Sequence, residues 1–181
     1  MRASVEPWKL VQPGFKTLGY PTLEQACETA GGYLAPRAPD RSEARRIALL
    51  YGFVREHLSD LLPLGLLPPV EVAESRTPGW GGFAVCHPRK GGPLSSGGRR
   101  VRASISRIAL QRSDLARESA GRALATLLHE LCHAFGSDGS SSFSAALTDL
   151  LERVCRLPGP LADLEASWKR TGAPTAPGRA D

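Results

Sequence analysis

The chain has 181 residues, 41% of them hydrophobic, and a formal net charge of +5. That is enough apolar material to bury one core, yet no apolar run reaches the ~20 residues of a bilayer-spanning helix, so no membrane partner is expected. The charge permits acidic or nucleic-acid partners without requiring them. Cys27, Cys86, Cys132 and Cys155 are scattered with no Cys-x-x-Cys pair, and the charged start has no apolar leader, a combination that predicts reduced thiols in a cytoplasmic protein.

Residues 1–40 are rich in Pro and Gly and read as an irregular lead-in, with one short helix candidate at 23–29. Residues 42–62 read as a helix, capped by Ser42 and with Ile47, Leu50, Val54, Leu58 and Leu61 on one face; Pro63, Pro68 and Pro69 end it. His57, late in this helix, reads as a surface group. Residues 70–74 and 82–86 are strand candidates joined by the turn Thr77-Pro78-Gly79. His87 ends the second and reads as a loop histidine or as a group that could meet a substrate or a developing oxyanion.

Arg89, Lys90, Arg99, Arg100 and Arg102 then surround a Gly/Ser/Pro-rich stretch. A flexible basic loop at 89–102 could make weak contact with nucleic-acid phosphates, whereas charges without interleaved aromatic residues also fit a solvated hairpin tip. Val101, Ala103 and Ile105 alternate with polar residues as in a half-buried strand, and the apolar phase then shifts to Ile108 and Leu110, which predicts a bulge.

The most informative segment follows. Residues 129–133 read His-Glu-Leu-Cys-His, on a helix whose Leu124, Leu127, Leu128, Leu131 and Phe135 form a buried stripe. Positions i and i+4 stack on one helix face, so His129 and His133 can aim two imidazoles at one Zn²⁺ ion. Glu130, beside the first histidine, is placed to hold and deprotonate a water there, the arrangement of a zinc-dependent hydrolase of peptide bonds. Cys132 falls on the leucine side and reads as buried filler, and Gly136 reads as the helix terminator. A capping stretch leads to a helix near 141–156, with Phe143, Leu147, Leu150, Leu151 and Val154 inward. Leu161, Leu164 and Trp168 mark a last short helix, and residues 171–181 read as a disordered tail. No internal repeat is seen.

The segment Ser104-Ile-Ser-Arg-Ile-Ala-Leu-Gln-Arg-Ser-Asp-Leu115, followed by Leu124-Ala-Thr-Leu-Leu-His-Glu-Leu-Cys-His-Ala134, resembles the SprT-like (Spartan-like) metallopeptidases. There too a strand ending in Ile-x-Leu precedes such a helix, and Glu74 to Cys86 resembles that family's preceding strands. The resemblance spans about residues 42–157 and implies a minimal zincin-like α+β domain at 41–170, a small mixed sheet packed on helices. It further implies His129 and His133 as zinc ligands and Glu130 as general base. The chain departs from the family in having no histidine after His133.

A catalytic zinc normally has three protein ligands. Asp138 follows Gly136, where a chain reversing off the helix end could return to the metal; its alternative role is a helix cap. Glu152 has the spacing of the gluzincin ligand, and Asp149 lies one turn before it, although Ala145 stands where the gluzincin Glu-Ala-x-x-Asp pattern has its ligand. We take His129, His133 and Asp138 as the expected zinc set, with Glu152 or Asp149 as alternatives for the third place. The expected function is hydrolysis of a protein or peptide substrate lying extended along 82–86. The alternatives are a non-catalytic metal-binding module, perhaps within a larger assembly, and a DNA-associated protease.

Overall fold

The computed structural model describes residues 36–62, 67–75, 81–89 and 98–172. The helix candidate at 23–29, the turn at 77–79, the middle of the basic loop and the tail beyond 172 lie outside the described residues.

Helix α1 (Arg41–His57) starts at Asp40, not at Ser42. The Asp40 carboxylate accepts from the amides of Ser42 and Glu43, and the Glu43 side chain accepts from the Asp40 amide, forming a reciprocal capping box. Arg37 holds Glu43 through two bonds of 2.7 Å and bridges to Val72 through its backbone, so the last residues of the lead-in are tied to the domain. The helix ends at His57, short of the expected 62. Leu58 leaves helical geometry as the C-cap, while Leu58 and Leu62 still point into the core.

Strands β1 (Val70–Ala73), β2 (Gly82–Pro88) and β3 (Ala103–Gln111) form a mixed sheet of order β1-β3-β2. The two strands expected to neighbour each other across a turn are therefore separated by β3, parallel to β1 and antiparallel to β2. The physical reason lies in β3: Ile108, Ala109 and Leu110 are all at most 1% exposed, a continuous apolar run that suits only the central strand. The bulge occurs where the apolar phase shifts. Val85 pairs with Arg107 and Cys86 with Ile105, leaving Ser106 as the extra residue.

A single turn, α2 (Arg112–Leu115), leads to α3 (Gly121–Cys132), α4 (Ser141–Cys155) and α5 (Pro158–Gly172). The described residues are thus α+β, a three-stranded mixed sheet packed on five helices, with the His-x-x-x-His group on α3. Leu124, Leu127, Leu128, Leu131 and Phe135 join Leu50, Val54, Val72, Ile108, Leu150 and Trp168 in one core, and Cys132 is fully buried among them. In α4 the inward positions are Phe143, Ala146 and Leu150; Leu151, expected inside, is 44% exposed because it lies one residue past the buried stripe.

The N-cap residue of α3, Ala120, offers no capping side chain; the Ser119 hydroxyl accepts from the Gly121 amide at 3.2 Å, and α5 supplies a further partner. The Glu165 carboxylate accepts from the Ala120 amide at 3.0 and 3.1 Å and from the Ser119 hydroxyl at 2.8 Å. Buried Arg46 of α1 stacks 4.9 Å from the Trp168 ring centre and donates to the carbonyls of Leu115 and Arg117, and the Trp168 indole also donates to the Arg117 carbonyl. These contacts from α1 and α5 set where α3 begins and hence where its histidines emerge.

Candidate metal centre

Helix α3 buries its leucines and turns His129 and His133 to the opposite side, with Glu130 between helix and sheet. Donor atoms of His129, Glu130 and His133 all lie within 4.8 Å of one another, a group that can hold a metal ion. The ring centroids of the two imidazoles are 5.3 Å apart, and Phe143 of α4 packs 5.0 Å from each. No sequence signal marked Phe143 for this role: its apolar spacing reads simply as core, and only the packing of α4 on α3 brings it under the histidines.

The end of α3 builds the rest of the site. His133 is the C-cap, and successive i to i+3 bonds at Ala134 and Phe135 tighten the chain, so Gly136 is not the terminator itself. Gly98 is the one residue with positive φ among those described, so Gly136 does not serve as a left-handed cap. Its lack of a side chain matters for another reason, since a Cβ there would stand 2.1 Å from the Ser140 Oγ. The turn folds back tightly enough for Ser140 to cap α4 by accepting from the Phe143 amide at 3.2 Å. The Gly136 carbonyl lies 3.3 Å from His133 Nδ1; a proton held there would leave Nε2 as the donor to a metal.

Asp138 projects from this turn towards both histidines. Its Oδ1 is 3.1 Å from His129 Nε2 and 3.6 Å from His133 Nε2. The other two carboxylates are engaged elsewhere: Asp149 pairs with Arg99, and Glu152 with Arg156 one turn along α4. Arg99, one of the basic-loop residues, thereby packs back against α4.

Glu130 is 4% exposed, and its Oε2 has no hydrogen-bond partner among the described residues, with His133 Nε2 3.6 Å away. Burial pushes its carboxyl up to about 7, the Asp138 charge adds to the rise, and a hydrogen bond with the Ala84 backbone opposes it. A buried carboxylate oxygen left unpaired calls for a proton, a cation or a water. The cluster offers imidazole nitrogens and carboxylate oxygens, the donor types that suit zinc, so the residues fit the expected metal.

The remaining histidines lie apart from this cluster. His87, on the exposed end of β2, has Nε2 3.2 Å from the Ser106 Oγ at the bulge. His57 packs edge-on against Phe53 at the end of α1. The Cys132 thiol is pushed up to about 12 by burial, in keeping with a packing role rather than a ligand.

No protein-family model, curated protein or solved structure matches this chain. Among the described residues, no helix is long and apolar enough to cross a membrane.

Proposed function

We propose that the chain is a zinc-dependent metallopeptidase of zincin type, with His129, His133 and Asp138 as ligands and Glu130 as general base. The observation that carries this reading is the convergence of Asp138 Oδ1 on both Nε2 atoms beside a buried, unpartnered Glu130 oxygen. When bound, zinc supplies Lewis acidity, polarising a carbonyl and acidifying water. Glu130 Oε2 takes a proton from the attacking water and delivers it to the leaving amine nitrogen.

Strand β2 offers a place for the peptide. Among the described residues it is the last strand of its sheet, and the Gly81 carbonyl accepts from the Gln111 amide on β3. In an antiparallel ladder the next residue's backbone groups face away, so Gly82 directs its own towards the edge that no other described strand covers, where an extended chain could add as a strand.

The test compares wild type with Glu130→Gln. The variant should keep stoichiometric zinc, because the three ligands are untouched, and lose hydrolysis of an unfolded protein substrate by orders of magnitude. Equal cleavage by both proteins would remove Glu130 from the mechanism, and zinc binding without cleavage by either would leave a metal-binding module.

A further inference from the structure

Helices α1 and α5 pack side by side and leave a cavity of about 350 Å³ between them. It shares no lining residue with the metal centre, and its volume falls within the ~300–1,000 Å³ of small-molecule pockets. Leu49, Phe53, Pro160 and Leu164 make an apolar floor, while Glu56, His57, Asp163 and Ser167 supply the polar groups. Among the described residues no lysine or arginine lines it, in a chain whose net charge is +5.

Neither carboxylate has a strong partner. Asp163 makes no hydrogen bond or ion pair among the described residues. Glu56 Oε1 lies 3.9 Å from His57 Nε2, at the limit of an ion pair, and its side chain is 76% exposed. Two cations stand close by without lining the cavity. Arg153 is held by Asp60 at 2.9 Å and reaches the His57 carbonyl at 3.4 Å. Arg170 donates to the Ser167 hydroxyl at 2.8 Å, one helix turn beyond Asp163. The negative end of the cavity is therefore the one at Glu56 and Asp163, where the last carbonyls of α1 add partial negative charge.

Gly52 lies on the same lining, in the interior of the 17-residue α1. After proline, glycine is the least favourable residue for a helix interior. Packing does not call for it here, because a Cβ on Gly52 would meet nothing within 4 Å, whereas one on Gly81, Gly82 or Gly136 would collide. A bare helix backbone facing a cavity leaves room for a ligand to lie directly against it.

We infer that this cavity binds an ammonium group carried on an apolar stem, with the head at Glu56 and Asp163 and the stem laid over Gly52 against Leu49 and Leu164. The carboxylates select the sign of the head. An exposed ion pair supplies no more than about a fivefold gain, so burial of the stem on the apolar floor has to supply the rest. A free aliphatic amine and the lysine side chain of a partner share this chemistry. The inference does not depend on the peptidase reading.

The test titrates the full chain with n-pentylamine and, in parallel, with 1-pentanol and pentanoate, which keep the stem and change the charge. Methyl resonances of Ala48, Leu49 and Leu164 report binding at this cavity. The amine should shift them saturably at millimolar concentration and bind at least about fivefold more tightly than the alcohol, with pentanoate weaker still. Asp163→Asn should weaken the amine roughly two- to fivefold and leave the alcohol unchanged. Gly52→Leu, directed into open space, should abolish the shifts while the melting temperature stays at or above that of wild type. Neither substitution should change zinc content. Nα-acetyl-lysine N-methylamide distinguishes the two sources: shifts matching those from pentylamine assign the cavity to a lysine side chain, and shifts from pentylamine alone assign it to a free amine.

Equal binding of amine, alcohol and pentanoate overturns the inference, and so does the absence of any saturable shift. Amine binding that persists in Gly52→Leu overturns it as well. If Gly52→Leu melts lower than wild type, Asp163→Asn and the charge series decide the matter without it.

Discussion

Gly136 and Ser140 approach so closely that a Cβ on the glycine would meet the serine Oγ at 2.1 Å. The same Oγ caps α4, and α4 carries the Phe143 ring that packs on both histidines. A small change in this turn is thus transmitted to the site along a short path.

Gly136→Ala should displace the Ser140 hydroxyl from the Phe143 amide and cost about 1 kcal/mol, the usual worth of an N-cap. Zinc affinity should fall with it, because Asp138 leaves from the same turn. In a Ser140→Ala background the cap is already gone, so the added cost of Gly136→Ala should shrink. A double-mutant cycle by thermal denaturation measures this coupling, and strict additivity would show that the two residues act separately.

Asp138→Ala should weaken zinc binding strongly, since two histidines leave the ion short of three protein ligands. Asp149→Ala and Glu152→Ala should leave the metal in place, because those carboxylates hold Arg99 and Arg156. Metal titration of the three variants decides the matter. A site emptied only by Glu152→Ala would transfer the third place to α4.

Gly81→Ala and Gly82→Ala should differ in whether they can be rescued. The Gly81 clash is with the Thr126 side chain, so Thr126→Ala should restore stability to Gly81→Ala. The Gly82 clash is with the Ala109 backbone carbonyl, which no side-chain change removes; its cost should be about 1–3 kcal/mol with or without Thr126→Ala. Denaturant unfolding of the single and double variants provides the comparison.

The capping box makes part of the stability acid-sensitive. The hydrogen bond from Arg37 holds the Glu43 carboxyl below its ordinary value, and the bond from the Glu43 amide does the same for Asp40. A carboxyl depressed on folding stabilises the fold above its ordinary value of about 4, and that contribution is lost as pH falls through the lower folded value. The melting temperature should therefore drop below about pH 4, and less steeply in Glu43→Gln, which should already be less stable at neutral pH. Parallel slopes for the two proteins would show that this group is not linked to folding.

Sequence alone determined what depends on near neighbours in the chain. The buried stripe of α3, the placement of His129, Glu130 and His133 away from the leucines, the core position of Cys132 and the bulge near Ser106 all follow from local periodicity. Residues three or four apart must share a helix face, and a phase slip in a strand must be absorbed by an extra residue. Tertiary structure decided what depends on distant partners. Whether β1 and β2 would pair directly or flank β3 was not set by their own residues, because β3 lies later in the chain and takes the centre through its own continuous apolar run. Asp138 was already preferred over Glu152 and Asp149 from its place after Gly136, but only the folded turn from Gly136 to Ser140 carries it to the histidines while arginines engage the other two. Phe143 beneath the imidazoles and Glu165 on the start of α3 were invisible for the same reason: such contacts are made by helix packing, whose geometry no short stretch of chain contains.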